Sequence, residues 1–412
     1  MKEIQSWDWQ TPLKEIPVQE WADRFNWVEE PCITPDGEAV ASIVNLDEMA
    51  FGICVNGQLW EGEYEKAWSL KAFGDRRHAV AVCQDEEWQL LVDGQPWSNS
   101  FDFVWNLQFS PDGDQVGMAY QKDMEYGMAV NDSLWEEGFE NITGTLLGPG
   151  GVTAAIVQAE SMPAADVEAF AKGIFGVAVN GECGEQRFLN AWDLSFSRDG
   201  NDLAWAVRLD REAYGVAVNG ALWEPRFQAV WRPVFGQAGV MAPVRTNGKW
   251  RLFQDGAQLW DGSYENIWHL QPSPSGTDIA AIVATSFGTW SVAVNDRPWS
   301  TTWDTMVREL IYSPDGNGLA AVFKDKGAWG LAVNDRAWRL SCDKIFTPSM
   351  SPDGAVVAVS FEREGQWYTA VNDKVVAGPC EMMADPVVSP DGKAVLVKGV
   401  ENGVYKRRVI VL

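Results

Sequence analysis

Histidine and cysteine carry most metal and nucleophile chemistry in proteins, and this chain holds two of the first and six of the second. His78 and His269 have no Cys or His neighbour at the short spacing that zinc ligands need. Cys32, Cys54, Cys83, Cys183, Cys342 and Cys380 are scattered, with no C-x-x-C pair. Haem attachment and four-cysteine cluster patterns are therefore excluded. The chain has no G-x-S-x-G elbow, no G-x-x-x-x-G-K-[ST] phosphate loop and no G-x-G-x-x-G after a strand. Carboxylates are plentiful, but at a net charge of −26 they read as solvation. The expectation is a protein with no catalytic residue, no metal ligand and no bound cofactor.

Tryptophan is the other candidate, with 23 in the chain. Most recur in columns. Trp21, Trp60, Trp97, Trp135, Trp223, Trp260, Trp299 and Trp338 share one position of a repeat. Trp68, Trp105, Trp192, Trp231 and Trp268 share a second. A ring that recurs at repeat spacing is expected to pack repeat against repeat. Trp27 and Trp205 read as core. Trp7 and Trp9 precede the first repeat, and two large aromatics there are candidate partner-binding anchors.

The repeat is about 38 residues long. Its third column is Phe51, Trp88, Tyr126, Phe175, Tyr214, Trp250, Trp290, Trp329, Trp367 and Tyr405. In the first nine units an apolar run then ends in Asn-Gly, Asn-Asp or Asp-Gly, from Asn56 to Asn372. Such pairs turn hairpins. A Ser-Pro-Asp-Gly turn forms a second ladder, as at Ser110 to Gly113 and Ser351 to Gly354. Short apolar runs between turn signals predict four strands per unit and an all-β chain. Four-stranded units that cannot bury themselves alone predict a β-propeller of about ten WD40-like blades. Two five-bladed rings are the alternative.

The ends suggest closure. The last unit stops after its third strand, and Trp21 to Phe25 reads as an unpaired fourth strand ahead of the first unit. An N-terminal strand that completes the last blade leaves no free edge. The reading is therefore an N-terminal arm over 1–20 and a propeller over 21–412. Residues near 159–173 carry helix start and stop signals and read as a short helical insertion.

The charge argues against nucleic acid, and only Lys406-Arg407-Arg408 forms a basic cluster. No apolar window is long enough to span a membrane, and no signal peptide is evident. Free thiols fit a cytoplasmic protein. A ligand site in a propeller channel would need polar side chains from several first strands. Those strands offer Leu107, Leu194 and Leu270 at the expected positions, so no channel chemistry is expected.

The Ser-Pro-Asp-Gly-x-x-x-Ala pattern at Ser313 to Ala320 and Ser351 to Ala358 resembles the WD40-like repeat of the TolB propeller family. Across the whole chain, the length, acidity, tryptophan content and opening Trp7-Asp8-Trp9 resemble the TmcD family. These are the tryptophan-rich subunits of the transmembrane redox complex of sulfate-reducing bacteria. That resemblance implies a non-catalytic accessory subunit, held at the cytoplasmic side of the inner membrane through its partners. The implied partners are the iron–sulfur and membrane cytochrome b subunits of a complex that draws electrons from a periplasmic cytochrome in sulfate respiration. A free-standing cytosolic protein-interaction adaptor is the alternative. No functional residue carries over from either family.

Overall fold

The computed structural model describes residues 4–73, 76–161 and 173–412. Ten antiparallel sheets follow one another along the chain and form one ring, a ten-bladed propeller. Blade three shows the pattern: Phe103–Phe109, Val116–Lys122, Glu125–Val130 and Ser133–Leu134, hydrogen-bonded in that order. Val116 to Tyr120 is buried at every position. A middle strand sandwiched between two other blades has no wet face, so it reads as an unbroken apolar run. The fourth strand is only two residues in most blades. The chain then leaves the sheet and returns for one bridge, Tyr126 to Phe139 in blade three. Phe51–Tyr64, Trp88–Phe101, Tyr214–Phe227 and Trp329–Cys342 repeat that bridge. The third aromatic column is thus the anchor for the outer edge of the blade.

Each hairpin asparagine does two jobs. Asn334 takes φ 49°, a left-handed conformation that asparagine tolerates better than most residues. Its Oδ1 accepts the Leu319 N–H at 2.8 Å, which would otherwise be orphaned where the second strand begins. Asn131, Asn219, Asn295 and Asn372 hold Val116, Leu203, Ile279 and Val357 in the same way. Where the next residue is Asp, it reaches the neighbouring blade. Asp335 accepts the Ser300 and Thr301 N–H groups at 2.8 and 2.9 Å, and Asp132 does the same for Ser98 and Asn99.

The core is not central. It is divided into clusters, each shared by two consecutive blades. Phe73, Leu90, Trp97 and Phe101 of blade two meet Val104, Leu107, Met118 and Tyr120 of blade three. Ala154 and Phe188 of blade four meet Leu194 and Trp205 of blade five. The last such cluster closes the circle: Val400 and Tyr405 of blade ten meet Val40, Val44 and Cys54 of blade one. This continuity gives one ring of ten, not two of five.

The closing strand is Leu13–Ile16, paired antiparallel with Val404–Val411 so that Ile16 faces Tyr405. It lies within the segment read above as an arm. Trp21 to Phe25, expected to be that strand, belongs instead to a helical turn, Gln19–Arg24. The Trp-x-x-x-aromatic spacing is i to i+4, which puts both rings on one face of a helix as readily as across a β return. Trp21 and Phe25 remain buried in the closing cluster. Trp205 is core, as expected, whereas Trp27 is 51% exposed. Val28, not Trp27, is the neighbour that packs into the closing cluster. The expected helical insertion lies largely outside the described residues.

Charge completes the seam. Arg407 is fully buried; its Nε donates to Asp36 O at 2.9 Å and sits 3.0 Å from Glu38 Oε1. Tyr405 Oη donates to Gly37 O, and Lys398 Nζ to Pro35 O. Arg408 and Lys406 both bind Glu401. The basic trio is thus spent inside and along the edge of blade ten.

Two outcomes are expected. Asn334→Ala loses both the left-handed tolerance and the acceptor, and should cost about 1–3 kcal/mol by urea unfolding. Asn334→Gly keeps the backbone freedom and should cost less. Arg408, then Lys406, hold the Glu401 carboxyl well below its ordinary 4.5, at about 2. A depressed carboxylate stabilises fully above its unfolded value and loses that effect as pH falls through the folded one. The thermal midpoint should therefore fall between pH 4.5 and 2, and Glu401→Gln should flatten that limb.

Candidate functional site

The inner strands carry a device that the sequence pattern hides. In blade three the ladder slips between Trp105 and Gln108, and Asn106 there has φ 50°. Ser69, Gly144, Asp193 and His269 occupy the same position in their blades, all with positive φ. This is a β-bulge. One extra residue reverses the in–out alternation along the rest of the strand. Leu107, Leu194 and Leu270 therefore turn into the blade interfaces and are buried. Their neighbours turn the other way, toward the inner side of the ring: Asn106, Asp193 and His269 are exposed and Gln108 and Gln271 half-buried, whereas Ser195 stays buried. The expectation of an apolar channel is corrected by this parity change.

Polar side chains of the wall also clamp blade to blade. Asn106 Nδ2 donates to Thr145 Oγ1 at 2.7 Å, and Lys71 Nζ to Leu107 O at 2.7 Å. Arg308 Nη1 donates to Ile345 O at 2.9 Å, and Thr347 Oγ1 to Glu309. Burial pushes the Asp385 carboxyl up, with the Lys398 charge opposing. Burial likewise pushes Asp193 up and His269 down. These side chains reach solvent but lie partly among their neighbours, which disfavours their charged forms.

One mouth of the ring is aromatic. Trp68, Phe103 and Trp105 lie in a stacked row, with centroids 5.8 and 6.1 Å apart. Trp88 meets Trp68 and Phe103 edge-on at 6.0 and 5.8 Å. Trp68 and Phe103 are 37% and 41% exposed. Around them the turns of the same mouth expose Asp85, Glu86, Glu87, Asp102, Asp123 and Glu125. Met124, at the tip of one turn, is 82% exposed. The column rule found Trp68 and Trp105. It could not tell that the row reaches solvent, because packing and display share the same spacing.

Trp7 and Trp9 stack on each other at 6.4 Å. Trp7 is buried, and Trp9 is half-buried with its Nε1 donating to Ile4 O. Asp8 between them accepts from Arg407, so this segment is tied to the seam. The turn aspartates are occupied locally: Asp315 accepts from Ser313 Oγ and from the Asn317 N–H. His78 is core, 1% exposed. Among the described residues no cluster of His, Cys, Asp or Glu could hold a metal ion. Among the described residues no helix is long and apolar enough to cross a membrane.

No family model matches this chain, and no curated protein matches it. Among solved structures it is similar to a crystal structure of a eukaryotic initiation factor, with TM-score 0.48 and 12% identity, covering 80% of this chain and 91% of that one. It is also similar to hydrazine synthase of Kuenenia stuttgartiensis, with TM-score 0.30 and 12% identity, covering 74% and 94%. Neither score carries an argument about function. The ring rests on its own sheets.

Burial raises every thiol of the chain, Cys32 to about 11 and Cys342 and Cys380 to about 12. The reactive form is the thiolate. A thiolate-directed disulfide reagent at pH 7.5 should therefore label the native protein slowly or not at all, and should label six cysteines after denaturation.

Proposed function

We propose that the protein is a non-catalytic interaction scaffold, an accessory subunit of a membrane-bound electron-transfer complex. The observation that carries the scaffold reading is the exposed row Trp68–Phe103–Trp105. Rings already stacked lose little freedom when a partner covers them, and Trp is the residue most enriched at binding hot spots. The acidic turns around the row favour a partner surface with basic character. Trp9, tethered at the seam, offers a second contact point beside the buried Trp7.

The finer assignment is supported by the whole-chain resemblance to the tryptophan-rich subunits of the transmembrane redox complex. On that reading the partners are its iron–sulfur subunit and, through it, the membrane cytochrome b. The scaffold sits at the cytoplasmic face of the inner membrane, and the complex serves sulfate respiration. Propeller folds also host enzymes, so function has to be argued from surfaces, and the surfaces here favour contact over turnover.

Affinity purification of the tagged chain from gently solubilised membranes of its host tests this, with haem absorbance and mass spectrometry on the eluate. Cytochrome and iron–sulfur subunits should co-elute. The double variant Trp68→Ala, Phe103→Ala should reduce their recovery about tenfold or more at an unchanged thermal midpoint. A colourless protein that elutes alone from the soluble fraction would instead leave a free-standing adaptor.

A further inference from the structure

Across blades five, six and seven the channel wall opens into a cavity of about 630 Å³. Small-molecule sites span roughly 300–1,000 Å³. Its lining comes from the inner edges of three consecutive blades: Asp193, then Trp231 and Arg232 between two short strands, then Asn266, Trp268 and His269.

Hydrogen-bond donors dominate this lining. Among the described residues, the hydrogen bond made by the Arg232 guanidinium is a 3.5 Å contact to Leu194 O; no carboxylate lies within ion-pair distance, and Asp193 attracts it only from farther off. Four of its five N–H groups are left. The Leu310 N–H donates to His269 Nε2 at 3.4 Å. A neutral ring that accepts at Nε2 carries its proton on Nδ1 and donates there. Trp231 Nε1 donates to Asn266 Oδ1 at 3.1 Å, which occupies the acceptor end of that amide and leaves its NH₂. Among the described residues the Trp268 indole N–H is buried without a partner. Asp193 is the one carboxylate in the lining. In a chain of net charge −26, a concave site that gathers donors runs against the general composition.

The walls are flat. Trp231 lies parallel to Trp250, with centroids 5.3 Å apart and planes 9° apart, so it is a fixed surface. Trp290 also lines the cavity. An inorganic anion would fill only a small part of this volume.

We infer that this cavity binds a small organic carboxylate with a flat ring. Arg232 pairs the carboxylate, His269 and the Asn266 amide complete its hydrogen bonds, and the ring lies against Trp231. A guanidinium matches a carboxylate with two parallel bonds, which gives orientation as well as affinity. This site is independent of the aromatic row on blades two and three, and of the partner assigned to it.

Titration calorimetry on the full chain tests the inference with indole-3-acetate and benzoate, against tryptamine and inorganic phosphate. The aromatic carboxylates should bind, and tryptamine and phosphate should bind at least tenfold more weakly. Arg232→Gln should weaken indole-3-acetate at least tenfold, and Asp193→Asn should tighten it. Both side chains are exposed on the channel wall, and an unchanged thermal midpoint checks that each variant is folded. No heat from either carboxylate, equal binding by Arg232→Gln, or preferred binding of tryptamine would each overturn the proposal.

Discussion

A blade of four strands has two apolar faces and can cover neither. That shortage governs the molecule. Each sheet is stable only with a neighbour on both sides, so the core is cut into slices between blades, and any open row of blades leaves one face bare at each end. Closing the row removes both bare faces at once. Blade ten must therefore meet blade one, and the apolar join of Val400 and Tyr405 with Val40, Val44 and Cys54 is what allows the other interfaces to exist in water.

The join differs from its counterparts in one respect. It contains a fully buried arginine, a buried lysine and a tyrosine hydroxyl, all bonded to backbone carbonyls of one turn, Pro35 to Gly37. Buried charge contributes less stability than apolar packing of the same volume, but it tolerates few arrangements. An apolar face accepts any other apolar face. Arg407 and Lys398 accept only a partner that presents carbonyls and Glu38 at the right places. The seam thus distinguishes blade one from the rest and fixes where the circle ends.

Much of this was legible in the sequence because a repeat averages over local ambiguity. The hairpin Asn and the Ser-Pro-Asp-Gly turn each recur with one geometric purpose, and their ladders gave the strands and the blade number. The failures share a cause. Where two backbones satisfy one spacing, the spacing cannot choose: Trp21 and Phe25 fit a helix turn as well as a β return. Where an element changes parity, alternation misleads. The bulge at Asn106, Asp193 and His269 moved the polar residues to the channel and the leucines away from it. The burial of Arg407 was not legible because it depends on blade one, more than 360 positions away in the chain. The positive φ at non-glycine residues was the one local sign of the bulge, and the sequence alone does not display it.

The closing strand, Leu13–Ile16, has a consequence for how the chain is made. It emerges from the ribosome ahead of every blade, yet its partner, Val404–Val411, emerges only after the other nine blades. Blades one to nine can stack as they appear, but the circle stays open until Val404–Val411 is free. Through nearly all of synthesis the growing arc carries the bare face of blade one, with Val40 and Val44 uncovered, and an unused strand ahead of it. The same design that leaves the finished ring without an edge makes the nascent chain dependent on its last blade, so translation that stops short of Tyr405 yields a sticky crescent rather than a smaller ring.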